Sequence, residues 1–162
     1  MLSIRAMNRL DSAQVLRINR SGQPGIALLD EGELSRLMAV PNEHLTAVRD
    51  DDVVGYLLAF RGDAIYDGEE FLAFQRILTQ PFIYVDQVAV SISAQRSGIG
   101  KSLYKELQIS ARAQGIGLLC CEVNISPTNE PSLAFHASLE FSPVGPLSTS
   151  DGRDVQLLKK GC

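Results

Sequence analysis

Residues 95–102 read QRSGIGKS, a glycine turn placed directly before a helical pattern. Its last three letters match the end of the P-loop, in which Gly-Lys-Ser holds nucleotide phosphates. A P-loop also requires glycine five positions before Gly100, where this chain has Gln95. About three strand patterns precede the strand that leads into the turn, whereas a P-loop normally follows the first strand of its domain. Both points disfavour a nucleotide loop, although the downstream run LLCCE ends in an acid, as a magnesium-holding strand often does.

The segments around this turn alternate between strand and helix patterns. A helix is predicted over Gly100–Gln114, because apolar residues recur every four positions and Gly115 suits its end. A second helix is predicted over Asn129–Leu139, and Leu34, Leu37 and Met38 have helical spacing as well. The predicted strands are Ser3–Ala6, Leu45–Arg49, Val53–Phe60, Phe82–Val90, Leu118–Asn124, Phe141–Val144 and Asp154–Leu158. This order predicts an α/β domain with a mixed sheet.

Composition limits the class of protein. The length of 162 residues fits a single domain over 1–162, and 45% of the residues are hydrophobic. The net charge of −4 disfavours a nucleic-acid partner. We expect no membrane span and no signal peptide, and therefore a cytoplasmic protein. The three cysteines match neither a zinc site nor a disulfide framework, so no metal is expected and Cys120 and Cys121 are predicted to be core residues.

The turn resembles the cofactor motif of the GCN5-related N-acetyltransferase (GNAT) superfamily. Gln95–Gly100 fits the pattern [Q/R]-x-x-G-x-[G/A], and the likeness extends through VDQVAVSISAQRSGIGKSLYKEL and EVNISPTNEPSLAFHASLEF, over about Phe82–Phe141. The resemblance implies a GNAT-like mixed, mostly antiparallel sheet of six to seven strands flanked by about four helices. It also implies an N-acetyltransferase that moves an acetyl group from acetyl-CoA directly to a primary amine, on a small molecule or a protein. The alternative is a non-catalytic acyl-CoA-binding sensor or partner module, and a homodimer is compatible with either.

The resemblance assigns the cofactor residues. A glycine turn before a helix exposes backbone N–H groups and a partial positive charge, which suit a pyrophosphate. Glycines at 98 and 100 let the backbone approach the phosphate, unless they serve only to relieve strain in the turn. By resemblance, the backbone of one strand pairs with the pantetheine arm and two residues of the next helix lie near it. The residues assigned to the cofactor are Val88, Ala89, Val90, Gln95, Arg96, Ser97, Gly98, Ile99, Gly100, Lys101, Ser102, Asn129 and Ser132.

The resemblance also suggests catalytic residues. Glu122 lies in a Cys-Glu-Val context similar to the Leu-Glu-Val of relatives that acetylate protein N-termini, which implies a general base; Asp86 is the alternative base. His136 stands where the family commonly has the tyrosine that protonates the leaving thiolate, so it is either that acid or a packing substitution. Glu140 replaces the family's usual glycine before Phe141.

The acceptor is the part that the sequence describes least. In the superfamily the N-terminal helices and the loop before the cofactor strand shape acceptor choice, and these correspond to Arg9–Pro41 and Arg61–Gln80. The second segment is predicted to be a long polar connection whose acids either are solvated or attract a cationic amine. These acids are Asp63, Asp67, Glu69 and Glu70. His44 is predicted to be a surface residue.

Overall fold

The computed structural model describes all 162 residues and contains seven strands and five α-helices. In chain order they are β1 (Leu2–Ala6), α1 (Ser12–Ser21), α2 (Glu31–Ala39), β2 (Leu45–Arg49), β3 (Asp52–Arg61), α3 (Glu69–Ile77), β4 (Ile83–Val90), α4 (Ile99–Ala113), β5 (Leu118–Ser126), α5 (Glu130–Ser138), β6 (Ser142–Ser148) and β7 (Asp154–Gly161). No helix combines the length and the apolar character needed to cross a membrane.

The strands form one sheet in the order β1-β2-β3-β4-β5-β7-β6. All neighbouring strands are antiparallel except β4 and β5, which run parallel and pair only through Ile83 with Leu119 and Tyr84 with Cys120. Beyond Tyr84 the two strands diverge, because β5 continues to pair with β7 while β4 stays with β3. The sheet therefore has a gap at its centre, and this gap positions the site.

Two apolar layers cover the sheet. One contains side chains of α1, α2 and α3, and the other contains the buried stripe of α4. Successive side chains of a strand point to opposite faces, so Cys120 joins the first layer and Cys121 the second. Both thiols are buried and unpaired, which confirms that they are core residues.

A β-bulge interrupts β4 near the gap. Leu58 pairs with Gln87 and Ala59 with Val85, so Asp86 is left without a partner on β3. A bulge redirects the side chain of the extra residue, and bulges are common next to active sites. Here the bulge occurs just beyond the last pair that β4 makes with β5.

Most elements that the sequence predicts are present, including a helix around Leu34 and Leu37. The interpretation of Arg61–Gln80 as a polar loop is wrong, because α3 occupies Glu69–Ile77 within it. Phe71 and Phe74 of α3 are fully buried. The acids at the start of this short helix made the segment look like a solvated loop, while its apolar positions form a packed face.

The prediction that His44 lies on the surface is also wrong, since only 2% of the residue is exposed. Its Nδ1 accepts the Ala59 N–H (2.9 Å), so the ring hydrogen is on Nε2 and is donated to the Leu37 carbonyl (3.2 Å). Burial lowers the pKa of His44 to about 4, against the two backbone bonds, which raise it. The neutral imidazole thus fastens α2 to β3.

Candidate active site

The glycine turn connects β4 to α4 and begins the site. Gly98 has a left-handed φ of +80° and stands directly before α4, with no side chain capping the helix. The first N–H groups of a helix have no partner within it, so those of α4 are available to a ligand. Arg96 also takes a positive φ, of 65°, which few residues other than glycine adopt.

Hydroxyl groups in and after the turn bond to the turn's own backbone. Ser102 donates to the Gly98 carbonyl (3.0 Å) and Ser97 donates to the Ala94 carbonyl. Neither serine lines the neighbouring cleft. The two serines therefore stabilise the turn and the start of α4 through their own hydrogen bonds.

The two glycines of the turn serve different purposes. A Cβ on Gly98 would meet no atom within 4 Å, so this glycine is required for its left-handed conformation. A Cβ on Gly100 would lie 3.0 Å from Cζ of Phe135 on α5. The absence of a side chain at position 100 therefore allows α4 and α5 to pack closely, a contact that the sequence does not reveal.

A cleft of about 660 Å³ runs along the turn and the free edge of β4. It is lined by the β4 backbone, by the turn and by the start of α5. Among the predicted cofactor residues, it brings together Val88, Ala89, Val90, Gln95, Arg96, Gly98, Ile99, Gly100, Lys101, Asn129 and Ser132. The edge of β4 here has no partner strand, and two basic side chains flank open helix N–H groups. These features suit an elongated ligand that carries phosphate groups at one end.

A second cavity, of about 310 Å³, lies in the gap between β4 and β5. It adjoins the cleft, with which it shares six lining residues, Gly25, Ile26, Val88, Asn129, Ser132 and His136. Both carboxylates that the sequence singles out, Asp86 and Glu122, line this second cavity. We call the two spaces the cleft and the central cavity.

Tyr84 links these carboxylates. Its buried hydroxyl donates to Oε2 of Glu122 (2.7 Å) and lies 3.3 Å from Oδ1 of Asp86. A phenol carries one hydrogen, and the shorter distance selects Glu122 as its acceptor. Burial, followed by the charges of Glu70 and Asp86, raises the pKa of Glu122 well above its usual range. Burial also raises the pKa of Asp86 to about 6, opposed by the hydroxyl of Tyr66.

Glu70 and Arg153 also line the central cavity. Arg153 donates to Oε1 of Glu70 (3.0 Å), to Asp151 (2.9 Å) and to Oδ1 of Asn124 (3.0 Å). Its charge is thus compensated by carboxylates other than Asp86 and Glu122. No cationic side chain forms an ion pair with Asp86 or Glu122.

The remaining acids of residues 61–80 have hydrogen-bonding or ionic partners within the protein. Asp63 pairs with Arg61, and Asp67 pairs with Arg36. Glu69 accepts the N–H and the hydroxyl of Ser150. Only Glu70 of this group reaches the central cavity, so the acidic segment contributes one carboxylate to the site.

His136 is fixed by bonds on both ring nitrogens. Its Nδ1 lies 2.8 Å from the Ser132 carbonyl, which can only accept, so Nδ1 carries the hydrogen of the neutral ring. Its Nε2 then accepts the hydroxyl of Tyr104 at 2.7 Å. Burial lowers the pKa of His136, and this favours the neutral ring. Neutral His136 has no hydrogen left to donate to a leaving group.

Asn129 joins three segments at the border between the cleft and the central cavity. Its Oδ1 accepts the Ser132 N–H and caps α5, while its Nδ2 donates to the Gly25 carbonyl, each at 3.3 Å. Gly25 belongs to the α1–α2 connection, which is held in place by the buried amide of Asn19 bonded to Ala27 and Leu29. The connection thus forms a fixed wall of both cavities.

Sequence reasoning missed three residues of the site, namely Tyr84, Tyr104 and Arg153, and named Glu70 only as one of four acids that either are solvated or attract a cationic amine. Tyr84 and Tyr104 look like ordinary apolar positions of a strand and a helix in the sequence. A tyrosine at a core position does give a weak signal, because its buried hydroxyl needs a partner. Arg153 and Glu70 are 83 positions apart, and no local pattern connects them.

Comparisons with known proteins agree with this geometry. The model of the acetyltransferase (GNAT) family matches residues 15–141. A comparison with curated protein sequences gives no match.

Solved structures show the same fold. The ribosomal-protein-S18-alanine N-acetyltransferase of Escherichia coli has a TM-score of 0.75 and 16% identity, covering 99% of this chain and 94% of that one. Ard1 of Thermoplasma volcanium has a TM-score of 0.76 and 18% identity, covering 99% and 97%. The structure of yncA of Salmonella typhimurium, solved with its cofactor acetyl-CoA, has a TM-score of 0.66 and 20% identity, covering 99% of this chain and 94% of that one. Since the family match spans most of the chain, this protein belongs to the GNAT family and is an acetyl-CoA-dependent N-acetyltransferase.

Proposed function

We propose that the protein transfers the acetyl group of acetyl-CoA directly to a primary amine, with Glu122 as the general base. The observation that supports this most is the position of Glu122. Its carboxylate accepts the Tyr84 hydroxyl in a cavity that adjoins the cleft of the glycine turn. A base in such a place can reach an amine that approaches the end of a ligand bound in the cleft.

The cleft holds acetyl-CoA in this proposal. The open N–H groups at the start of α4 and the side chains of Arg96 and Lys101 bind the pyrophosphate, and the free edge of β4 at Val88–Val90 pairs with the pantetheine arm. Bound acetyl-CoA supplies an acetyl group activated as a thioester. Asn129 and Ser132 border the place where the cleft opens into the central cavity, next to that thioester.

The proton of the amine goes to Glu122. An amine must be neutral to attack, and a carboxylate with a raised pKa is a stronger base than an exposed one. Before Glu122 takes the proton, its carboxylate accepts a hydrogen bond from the Tyr84 hydroxyl. Asp86 lines the same cavity, and its charge raises the pKa of Glu122. Because of this position, Asp86 is the alternative base.

The acceptor in this proposal is a primary amine that approaches the central cavity as a cation, gives one proton to water and then attacks as the neutral amine. Asp86 forms no ion pair with a cationic side chain of the protein, so its charge attracts an ammonium group. Both a small molecule and a protein amino group meet this description. His136 lies in both cavities, on the sulfur side of the acetyl group, and acts there through its hydrogen bonds.

The test combines ligand binding with turnover. Acetyl-CoA and CoA are expected to raise the melting temperature, because a ligand that binds only the folded state stabilises it, whereas ATP and GTP are not. Purified protein with acetyl-CoA is then offered a panel of small amines and peptides, and free thiol release and acetylated products are measured. Stabilisation by acetyl-CoA without release of CoA with any amine would indicate an acyl-CoA sensor and would contradict the proposal.

A further inference from the structure

Tyr104 lies beside the reaction site in a hydrogen-bonded chain that the family match does not explain. It belongs to α4, is 4% exposed, and donates its hydroxyl hydrogen to Nε2 of His136. His136 in turn donates from Nδ1 to the Ser132 carbonyl. The direction of both bonds follows from that carbonyl, which has no hydrogen to give.

The position of Tyr104 is opposite to that of the base. Tyr84, which binds Glu122, packs in the layer formed by α1, α2 and α3, whereas Tyr104 packs in the layer formed by α4. Both Glu122 and Tyr104 nevertheless line the central cavity, because the cavity occupies the gap between β4 and β5. The carboxylate and the phenol therefore reach one space from the two faces of the sheet.

The hydroxyl of Tyr104 also lies close to a residue that the two cavities share. It is 2.7 Å from His136, a residue that borders both the cleft and the central cavity. A ligand that lies along the cleft with its acetyl group near Glu122 must place the preceding sulfur at this junction. The junction thus offers the sulfur the O–H group of Tyr104, in addition to that of Ser132, whose Oγ lies 3.4 Å from Nδ1 of His136.

We propose that the Tyr104 hydroxyl donates a hydrogen bond to the sulfur as it leaves the acetyl group, and that His136 is a positioning residue that orients this hydroxyl in the free enzyme. The inference rests on the proposed function, since it requires CoA in the cleft. In this proposal the contact with the leaving group is made by Tyr104 on α4. It is not made by His136 on α5, which stands where the family commonly has a tyrosine.

The chemistry balances without loss of the phenol proton. Glu122 takes the proton of the amine as the nitrogen–carbon bond forms. Tyr104 hydrogen-bonds the sulfur, which keeps the electron pair of the broken carbon–sulfur bond and leaves as a thiolate. The hydroxyl hydrogen thereby exchanges a neutral acceptor, Nε2, for an anionic one, and bonds to charged acceptors are roughly twice as strong. Because this gain arises only when charge develops on sulfur, it lowers the barrier instead of tightening substrate binding.

A purely structural role for the same chain predicts a different outcome. In that case Tyr104 and His136 only join α4 to α5, and no ligand changes their hydrogen bond. The two roles differ in whether the presence of a sulfur atom affects Tyr104. A comparison of CoA with desulfo-CoA, which lacks only the sulfur, isolates this difference.

Calorimetric binding of the two ligands to the wild type and to Tyr104→Phe tests the inference without turnover. The phenylalanine keeps the ring packing on Phe135 and Phe141, with ring centres 6.0 Å and 5.4 Å away in the wild type. At pH 9, above the roughly 8.5 of an ordinary thiol, we expect Tyr104→Phe to weaken CoA about tenfold and desulfo-CoA less than about twofold. Burial raises the pKa of Tyr104 well above its usual range, so its hydroxyl stays protonated at that pH.

The wild type alone provides a second measurement, for the case in which Tyr104→Phe does not fold. Nitrogen-15 NMR of the His136 ring reports whether Nε2 accepts a hydrogen bond. Addition of CoA at pH 9 is expected to remove the Tyr104 bond and shift Nε2, while desulfo-CoA leaves the resonance in place. Equal effects of both ligands on Nε2, or equal losses of affinity in Tyr104→Phe, overturn the inference. If neither ligand binds the wild type, the proposed function fails together with it.

Discussion

The hydroxyl of Tyr84 lies 2.7 Å from Oε2 of Glu122 and joins β4 to β5 just beyond their last backbone pair. This bond holds the carboxylate at the edge of the gap in the sheet, and it stabilises the charged form of Glu122. Burial and the charges of the neighbouring acids destabilise the charged form, so the pKa of Glu122 remains well above its usual range despite the bond from Tyr84. The reactivity of the site depends on the balance between these effects.

Loss of the Tyr84 hydroxyl is expected to raise the pKa of Glu122 further. In Tyr84→Phe the acid limb of the kcat profile should move to higher pH by about one unit, the equivalent of one hydrogen bond to a charged group.

Glu122→Gln should lower kcat by about 100-fold or more, with the affinity for acetyl-CoA retained. An unchanged pH profile in Glu122→Gln would remove this residue from the role of base.

Asp86→Asn is expected to shift the pH profile of kcat in the direction opposite to that of Tyr84→Phe. The charge of Asp86 raises the pKa of Glu122, so its removal should move the acid limb of kcat to lower pH, by about one unit. The maximal kcat should stay within a few-fold of the wild type. A loss as large as that of Glu122→Gln would instead identify Asp86 as the base.

His44 should make the protein less stable in acid. Its pKa is lowered from 6.5 to about 4 by burial, so the folded state binds fewer protons than the unfolded chain. The associated stability is present above pH 6.5 and is lost as pH falls towards 4, by about 3 kcal/mol. His136, whose pKa is also lowered, acts in the same direction, whereas the raised pKa of Asp86 acts against both.

Urea unfolding of the wild type and of His44→Gln between pH 7 and pH 4.5 measures this contribution. The variant should be less stable at pH 7 but should show a shallower decline towards acid. Identical slopes for the two proteins would mean that His44 titrates as it does in the unfolded chain.

Gly100→Ala should disturb the contact between α4 and α5. The new methyl group would lie 3.0 Å from Cζ of Phe135, and overpacking of this kind costs about 1–3 kcal/mol. Gly100→Ala combined with Phe135→Leu should be less destabilised than the sum of the two single variants. Gly98→Ala is the matched control: it introduces backbone strain in open space, so Phe135→Leu should not relieve it. Free energies of unfolding from urea titrations decide between coupling and additivity.

Glu140→Gly should stabilise the fold. Glu140 follows α5 with a φ of 69°, a conformation that glycine adopts without strain. We expect a gain of about 0.5–1 kcal/mol in the free energy of unfolding. Glu140→Ala removes the same exposed side chain but keeps the strain, so it should give no gain. Equal stability of the two variants would show that the backbone conformation is not the source.

The local sequence predicts the cofactor side of this protein well. Residues 95–100 predict a turn before a helix, because Gly98 permits a left-handed φ and the apolar spacing after it specifies α4. The same reasoning failed for α3 and for His44. Both depend on partners distant in sequence, since the apolar positions of α3 and the imidazole of His44 become buried only against β3 and the rest of the sheet.

The sequence by itself thus determined the strand–turn–helix unit, the family and the candidate carboxylates, because each is encoded by neighbouring residues. Only the tertiary structure decided how the candidates meet. The divergence of β4 from β5 creates a cavity open to both faces, into which Glu122 and Tyr104 project from separate elements. The tertiary structure also decided the protonation of His136, since the Ser132 carbonyl and Tyr104 determine which ring nitrogen carries the hydrogen. No local sequence pattern can specify such bonds.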